Sequence, residues 1–252
     1  AAAAAAPVSA DEAGDTAARR RASSIGSSSA PLSERVKDVI ASCVSYLVEY
    51  CPDFKDASEE QLAYARDKLE QKVLLGLGER AFESTEDPDA DAALAAKLRS
   101  LQWLTMDDVD VPKTCRNEVV LNLAQGELAR VNSRRTPAEK LECIVKAATI
   151  IFSALNLSRG DGDSRPGADD FFPVFIYVVL RASPARLHSN LEFIGEFRDE
   201  AALMSKAGYC LTNLRSAVAF LETLDGDGAS AVNLTKEEFE RRHAEYAAKH
   251  AA

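Results

Sequence analysis

The stretch TPAEKLECIVKAATIIFSAL, residues 136–155, is the segment from which the fold class of this chain is best predicted. Thr136 is suited to cap a helix, Pro137 suits the first helical position, and Glu139 completes a capping box. Apolar side chains then recur on one helical face: Leu141, Ile144, Val145, Ala148, Ile151, Phe152 and Leu155. The pattern predicts a long amphipathic helix with one buried side.

Outward from this stretch, most of the chain carries the same helical periodicity. Further helices are expected over residues 36–48, 58–77, 94–101, 115–131, 184–194, 209–224 and from 235 onward. The acidic segment 83–91 and residues 107–112 are expected as connections. Ser183 and Pro184 are expected to begin the helix that follows them. Residues 1–32 hold few large apolar side chains, which predicts a disordered tail.

One apolar run, DDFFPVFIYVVL at residues 169–180, is ambiguous by periodicity. Its β-branched and aromatic content favours a strand, whereas a lone strand among helices would have no partner. If the run is helical, Asp169 or Asp170 is suited to cap it, with Pro173 in its first turn. Taking the neighbours into account, we expect an all-α protein.

Composition narrows the function classes. The 252 residues carry a net charge of −10, which argues against a nucleic-acid partner and weakly against unaided binding to anionic lipid. No window approaches the roughly 18 apolar residues of a transmembrane helix. The five cysteines are scattered without a CxxC pair, which fits reduced thiols in a reducing compartment better than structural zinc.

Catalytic and metal-binding motifs are sparse. The chain has three histidines and contains no Gly-rich phosphate loop, GxSxG or HExxH motif. Asp225 and Asp227 fit the first positions of an EF-hand loop, but Ala229, Ser230 and Lys236 occupy positions where that loop needs other residues. We therefore expect no covalent chemistry, no bound metal and no cofactor.

Several blocks together carry a resemblance to a known family. These are TPAEKLECI (136–144), GADDFFPVFIY (167–177), PARLHSNLEFI (184–194), GYCLTNL (208–214) and SAVAF (216–220). In order and spacing they resemble the Vps-nine (vacuolar protein sorting nine) family, guanine-nucleotide exchange factors for Rab GTPases of the Rab-five branch. Residues 101–112 and 117–132 resemble the helical bundle that precedes this domain.

The resemblance implies a domain organisation. A disordered tail over residues 1–32 would be followed by a helical bundle over 33–132, packed on a layered helical Vps-nine domain over 133–247.

The resemblance also implies a function and a site. The protein would accelerate GDP release from a Rab-five-type small GTPase, binding its nucleotide-free or GDP form, as a regulatory exchange factor without covalent chemistry of its own. Asp169 would be the aspartate finger, Tyr209 and Thr212 would contact the switch regions, and Pro173 would shape the groove beside them. Asp170 and Asn213 are assigned with these residues to GTPase binding. The implied location is cytoplasmic, with peripheral recruitment to early endosomes.

Other interpretations of the same residues stay open. Asp169 is suited to a cap, Tyr209 to the core at a helix start, and Thr212 to a local backbone hydrogen bond; His188 is interpreted as structural. At the level of function, the alternative is a non-catalytic GTPase-binding adaptor in endosomal trafficking. A helical hydrolase or metal enzyme is disfavoured because no nucleophile–base set or ligand cluster is evident.

Overall fold

The described part of the chain is helical throughout its regular structure. A computed structural model describes residues 30–158 and 167–250, and no strand occurs among them. The α-helices are α1 (Leu32–Tyr50), α2 (Glu59–Leu77), α3 (Glu79–Glu83), α4 (Pro88–Ser100), α5 (Glu118–Ala129), α6 (Pro137–Leu157), α7 (Ala168–Ala182), α8 (Leu187–Phe197), α9 (Glu200–Leu203), α10 (Lys206–Thr223) and α11 (Lys236–Lys249). The predicted all-α class is confirmed. Most of the predicted tail, residues 1–29, lies outside the described part.

The chain divides into two compact units, residues 1–81 and 82–252. In the first, α1 packs against α2. Ser58 caps α2 in a complete capping box with Gln61, since each side chain accepts the other residue's backbone N–H. The boundary predicted between residues 132 and 133 is a different division, and it stays a prediction.

Helix α6 lies at the centre of the second unit, packed against α5, α7, α8 and α10. Its predicted capping box is present: Glu139 N–H donates to Thr136 Oγ1 at 3.3 Å, and Thr136 N–H donates to Glu139 Oε2 at 3.2 Å. The predicted apolar face is buried at Leu141, Ile144 and Ile151. Local sequence thus determines where this helix begins and which side it buries.

The ambiguous run 169–180 is helical and lies within α7. Phe171 and Phe175, one turn apart, point to the same side of a helix. Their rings stack at 5.0 Å, and Phe152 of α6 stacks on Phe171 at 4.3 Å. Both α7 phenylalanines are fully buried. Tertiary packing therefore selects helix over strand, despite the β-branched content of the run.

The connection predicted over residues 83–91 was wrong in its second half, because α4 begins at Pro88. Asp87 Oδ1 accepts the Ala90 N–H at 2.9 Å, and Pro88 occupies the first helical position. Pro88 is therefore the first residue of a helix and not the loop residue that the sequence predicts.

The predicted start of the next helix at Ser183 was also wrong. Ser183, with φ of 36°, adopts the left-handed conformation that ends α7, and α8 begins only at Leu187. Arg186 precedes α8 in the same left-handed conformation, with φ of 51°. The two left-handed residues turn the chain between helices, although neither is a glycine.

An ion pair anchors the last helix, α11. Arg242 donates to both carboxylate oxygens of Asp108, at 2.7 and 2.8 Å, and its guanidinium lies 4.8 Å from the ring centre of Trp103. Burial alone would raise the pKa of Asp108, but hydrogen bonds from Arg242 and Thr105 outweigh it and lower that pKa below the ordinary 3.8. Within residues 30–158 and 167–250, no helix has the length and apolarity needed to cross a bilayer.

Candidate functional site

The first turn of α7 contains two adjacent carboxylates with different surroundings. Asp170 is the third residue of the helix, and its Oδ2 accepts the backbone N–H of Gly167 at 2.9 Å. Gly167 has no side chain, so this single bond is the capping interaction. The capping role that the sequence left open between the two aspartates belongs to Asp170.

Asp169 is the second residue of α7 and is exposed. Among the described residues, its side chain has no hydrogen bond and no ion pair. The positive end of the helix dipole favours a negative charge at this position. Asp169 is thus a carboxylate held on a regular helix and available to an external group.

Pro173 lies inside α7, where it is the sixth helical residue and half-buried. The expectation that it sits in the first turn was wrong. Because proline has no N–H, the carbonyl of Asp169, four residues earlier, cannot receive its usual helical hydrogen bond from residue 173. The proline therefore alters the backbone of the turn that carries Asp169.

Aromatic packing on the buried side of α7 supports the turn that carries Asp169. Phe171 follows it by two residues, is fully buried, and stacks between Phe152 and Phe175. Offset aromatic pairs of this kind add about 0.5–1.5 kcal/mol each beyond the area they bury. A charged group on a helix anchored in this way keeps its position better than one on a loop.

Three of the predicted site residues lie near the start of α10. Tyr209 is 47% exposed and Thr212 is also exposed. The Asn213 side chain donates from Nδ2 to the Tyr209 carbonyl at 2.8 Å, so this amide is used within the helix. The core interpretation of Tyr209 is wrong, since nearly half of the side chain faces solvent.

Helix α10 packs against α7, which brings the two groups of predicted residues onto contacting helices. Leu211 and Leu214 are buried on the inner face of α10. Tyr209, Thr212 and the half-buried Asn213 lie on the opposite, outer face. The arrangement therefore combines an acidic helix start on α7 with an exposed tyrosine and threonine on α10.

Sequence reasoning missed the corner between α9 and α10. Ser205 caps α10 by accepting the Ala207 N–H at 3.1 Å, and its hydroxyl donates to the Ala202 carbonyl at 2.6 Å. One side chain thus joins both helix ends. A serine just before a helical apolar pattern was the available signal, but the helix was expected to begin only at Tyr209.

The residues of α7 and α10 offer no activated nucleophile and no metal site among the described residues. Burial raises the pKa of the Cys210 thiol, against a smaller opposing effect of the Lys206 charge, so the thiol is protonated and poorly nucleophilic. Within the described residues, no three His, Cys, Asp or Glu side chains converge as a metal site. In the former EF-hand candidate, Asp227 pairs with Lys236 at 2.6 Å.

Comparison with known proteins identifies a family. A model of the vacuolar sorting protein 9 (VPS9) domain matches residues 121–226. The chain is 38% identical over 193 residues to a protein of Arabidopsis thaliana named vacuolar protein sorting-associated protein 9A, covering 75% of this chain and 36% of that protein. It is 35% identical over 191 residues to the Homo sapiens Rab5 GDP/GTP exchange factor, covering 72% of this chain and 37% of that protein.

A more distant relative has the same domain in another context. The Bos taurus GTPase-activating protein and VPS9 domain-containing protein 1 is 30% identical over 177 residues, which is 68% of this chain and 12% of that protein. The chain thus spans little more than a third of the length of the first two relatives and far less of the third.

Proposed function

Because this chain belongs to the VPS9 domain family through residues 121–226, we propose that it is a guanine-nucleotide exchange factor that promotes GDP release from a Rab5-type small GTPase. The name of the Homo sapiens relative states this activity for that protein. The observation that carries the proposal for this chain is the exposed carboxylate of Asp169, which has no hydrogen bond or ion pair with another described residue and lies on an anchored helix.

In the proposed mechanism, Asp169 acts as an inserted anion. A GTPase holds GDP through a phosphate-binding lysine and Mg²⁺. A carboxylate that reaches the lysine forms a charge-assisted pair in place of a phosphate oxygen, which weakens nucleotide retention. Because Asp170 already caps the helix, Asp169 can leave its solvated position without loss of that cap.

The residues on α10 would bind the part of the GTPase that moves when nucleotide leaves. Tyr209 offers apolar area together with a hydroxyl group, a combination favoured in interfaces. Thr212 lies three residues later, on the same side of the helix, and is exposed. Pro173 on the contacting helix α7 would shape the adjacent surface.

Reciprocal coupling defines the binding preference. A partner that lowers the affinity of a GTPase for nucleotide must itself be bound less tightly when nucleotide is present. The chain should therefore bind nucleotide-free GTPase best, bind the GDP form transiently, and be released when GTP enters. This cycle needs no covalent intermediate, metal or cofactor from the chain, and makes it a regulatory exchange factor.

The principal alternative is a non-catalytic adaptor that binds the GTPase and leaves nucleotide in place. The exposed carboxylate of Asp169 at the start of α7 favours exchange, since an acid in this position can compete with nucleotide phosphate whereas an adaptor does not need that competition. For either role, we place the protein peripherally on early endosomes, in keeping with the vacuolar sorting and Rab5 exchange factor names of its relatives.

The test is release of a fluorescent GDP analogue from Rab5-type GTPases, followed with excess GTP at increasing concentrations of this protein. The proposal expects release rates that rise with its concentration. Release on chelation of Mg²⁺ alone, measured in parallel, shows that each GTPase is correctly loaded. Tight binding to nucleotide-free GTPase without acceleration across the whole panel would establish the adaptor instead.

A further inference from the structure

The chain turns tightly at the corner between α9 and α10. Besides the two hydrogen bonds of Ser205, the backbones of the two helices meet at Gly208. A Cβ atom added to Gly208 would lie 1.6 Å from the carbonyl oxygen of Leu203. No side chain fits in that space, so glycine allows the end of α9 to approach α10 as closely as it does.

Met204 projects from this corner into solvent. It is 90% exposed, the highest value among the exposed large hydrophobic residues of the described chain. A single exposed apolar residue is ordinary on a protein surface. Here, however, the residue lies at a corner closed by the Ser205 hydrogen bonds and by the close approach at Gly208, and the next exposed large apolar side chain along the chain is Tyr209.

From this arrangement we propose that Met204 contacts the same GTPase as Tyr209, extending the binding surface across the corner from α10 to the end of α9. The inference rests on the proposed function. Tyr209 N–H donates to the Ser205 carbonyl, and Met204 directly precedes Ser205, so both exposed side chains belong to the first turn of α10 and its entry. A partner that covers Tyr209 would then reach Met204 as well.

The chemistry of methionine fits this partner. Its unbranched, polarizable side chain adapts to contact surfaces of changing shape. The switch segments of a GTPase change conformation as nucleotide leaves and returns. A flexible side chain at this corner can keep contact with such a segment through the exchange cycle.

The proposed contact also predicts which kinetic constant changes. Met204 carries no charge and cannot compete with nucleotide phosphate as Asp169 does. A contact kept throughout the cycle contributes equally to the first complex and to the rate-limiting state, so its loss raises KM and leaves kcat unchanged. Asp169 variants, in contrast, should lose kcat.

The experiment measures GDP-release rates against GTPase concentration for the full chain, three variants of Met204 and one control variant. Met204→Ala should raise KM about fivefold to tenfold at unchanged kcat, the size typical of a buried interface anchor. Met204→Glu should raise it further, and Met204→Leu should restore most of the wild-type value. Leu75→Ala, at a 47% exposed leucine in the first unit, is the matched control and should leave both constants unchanged.

Binding to nucleotide-free GTPase, measured by titration, gives a second readout that does not need exchange. If wild type binds and exchanges while Met204→Ala and Met204→Glu keep wild-type KM and affinity, the Met204 contact is refuted and the proposed function stands. If wild type binds without exchange, a weaker affinity of Met204→Glu still supports the contact. If wild type neither binds nor exchanges with any Rab5-type GTPase, both proposals are overturned.

Discussion

Separate replacements of Asp169 and Asp170 should have different effects, although the two residues lie in one helical turn. Changing Asp169 should lower exchange activity, and removing the cap of Asp170 should lower stability. Both residues are aspartates in the first turn of α7, and each change to asparagine removes one negative charge. Asp170→Asn keeps an oxygen that can accept the Gly167 N–H, so the cap survives. Asp169→Asn keeps the size of the side chain but removes the charge proposed to act on the GTPase.

The magnitudes follow from these surroundings. Losing a charge-assisted hydrogen bond costs about 1.5–3 kcal/mol, which lowers the exchange rate about tenfold to 150-fold. Asp169→Asn loses only its interaction with the helix dipole, about 0.3–1 kcal/mol of folding stability. Asp170→Ala loses the cap, about 0.5–2 kcal/mol. In a unit the size of residues 82–252, each kcal/mol lowers Tm by about 2–4 °C.

The assay pairs GDP-release rates with thermal unfolding for Asp169→Asn, Asp170→Asn and Asp170→Ala. We expect low exchange with nearly wild-type Tm for the first. For the second we expect nearly wild-type Tm and exchange well above that of Asp169→Asn. For the third we expect reduced Tm, with exchange at 20 °C again above that of Asp169→Asn. Wild-type exchange by Asp169→Asn would refute the reasoning, as would equal loss of exchange in both asparagine variants. A large drop in Tm for Asp169→Asn would restore the capping interpretation of Asp169.

Three further predictions concern other parts of the structure. Tyr209→Ala should weaken binding to nucleotide-free GTPase by about tenfold. Tm should stay nearly unchanged, because nearly half of the side chain is exposed in the free protein. Unchanged affinity in a titration would contradict the interface role of Tyr209. Asp108→Asn should destabilise the second unit in denaturant at pH 7. The pKa of Asp108 is lowered in the fold, so the ionised carboxylate stabilises the folded state fully above its pKa in the unfolded chain, about 3.8, and this stabilisation is lost as pH falls through the pKa in the folded state. The difference in unfolding free energy between wild type and variant should therefore shrink below pH 3.8. A constant difference down to pH 2 would argue against the ion pair with Arg242. Thr136→Ala should lower the free energy of unfolding by about 1 kcal/mol, because the buried threonine caps α6. The exchange rate per folded molecule should stay unchanged. A lower exchange rate per folded molecule would assign Thr136 to the functional site.

Features that depend on neighbouring residues were predicted well from the sequence. The capping box of Thr136 and Glu139 acts over three residues, and its donors and acceptors meet once the first turn forms. The apolar face of α6 follows from the helical period in the same way. The predicted site residues on α7 and α10 came from the blocks that resemble the family, and their roles in GTPase binding stay predictions.

Predictions failed where a residue type suits more than one local structure. Pro88 is compatible with a connection and with the first turn of a helix, and only the cap by Asp87 separates the two. Ser183 was read as a helix start, but it takes the left-handed conformation that ends α7. Only proline has its φ set by residue type, so the sequence does not predict a positive φ at a serine.

The sequence by itself determined that the chain is helical, where most helices bury their apolar side, and to which family it is similar, since these depend on residue type and spacing. The sequence left open which aspartate caps α7, and the helix start at Ala168 resolves it: Asp170 lies three residues after Gly167 and accepts its N–H, whereas Asp169 forms no hydrogen bond or ion pair with another described residue. Tertiary structure alone decided that Asp108 meets Arg242 across 134 residues and that Met204 is left 90% exposed. Such contacts depend on how distant helices pack, which no local pattern encodes.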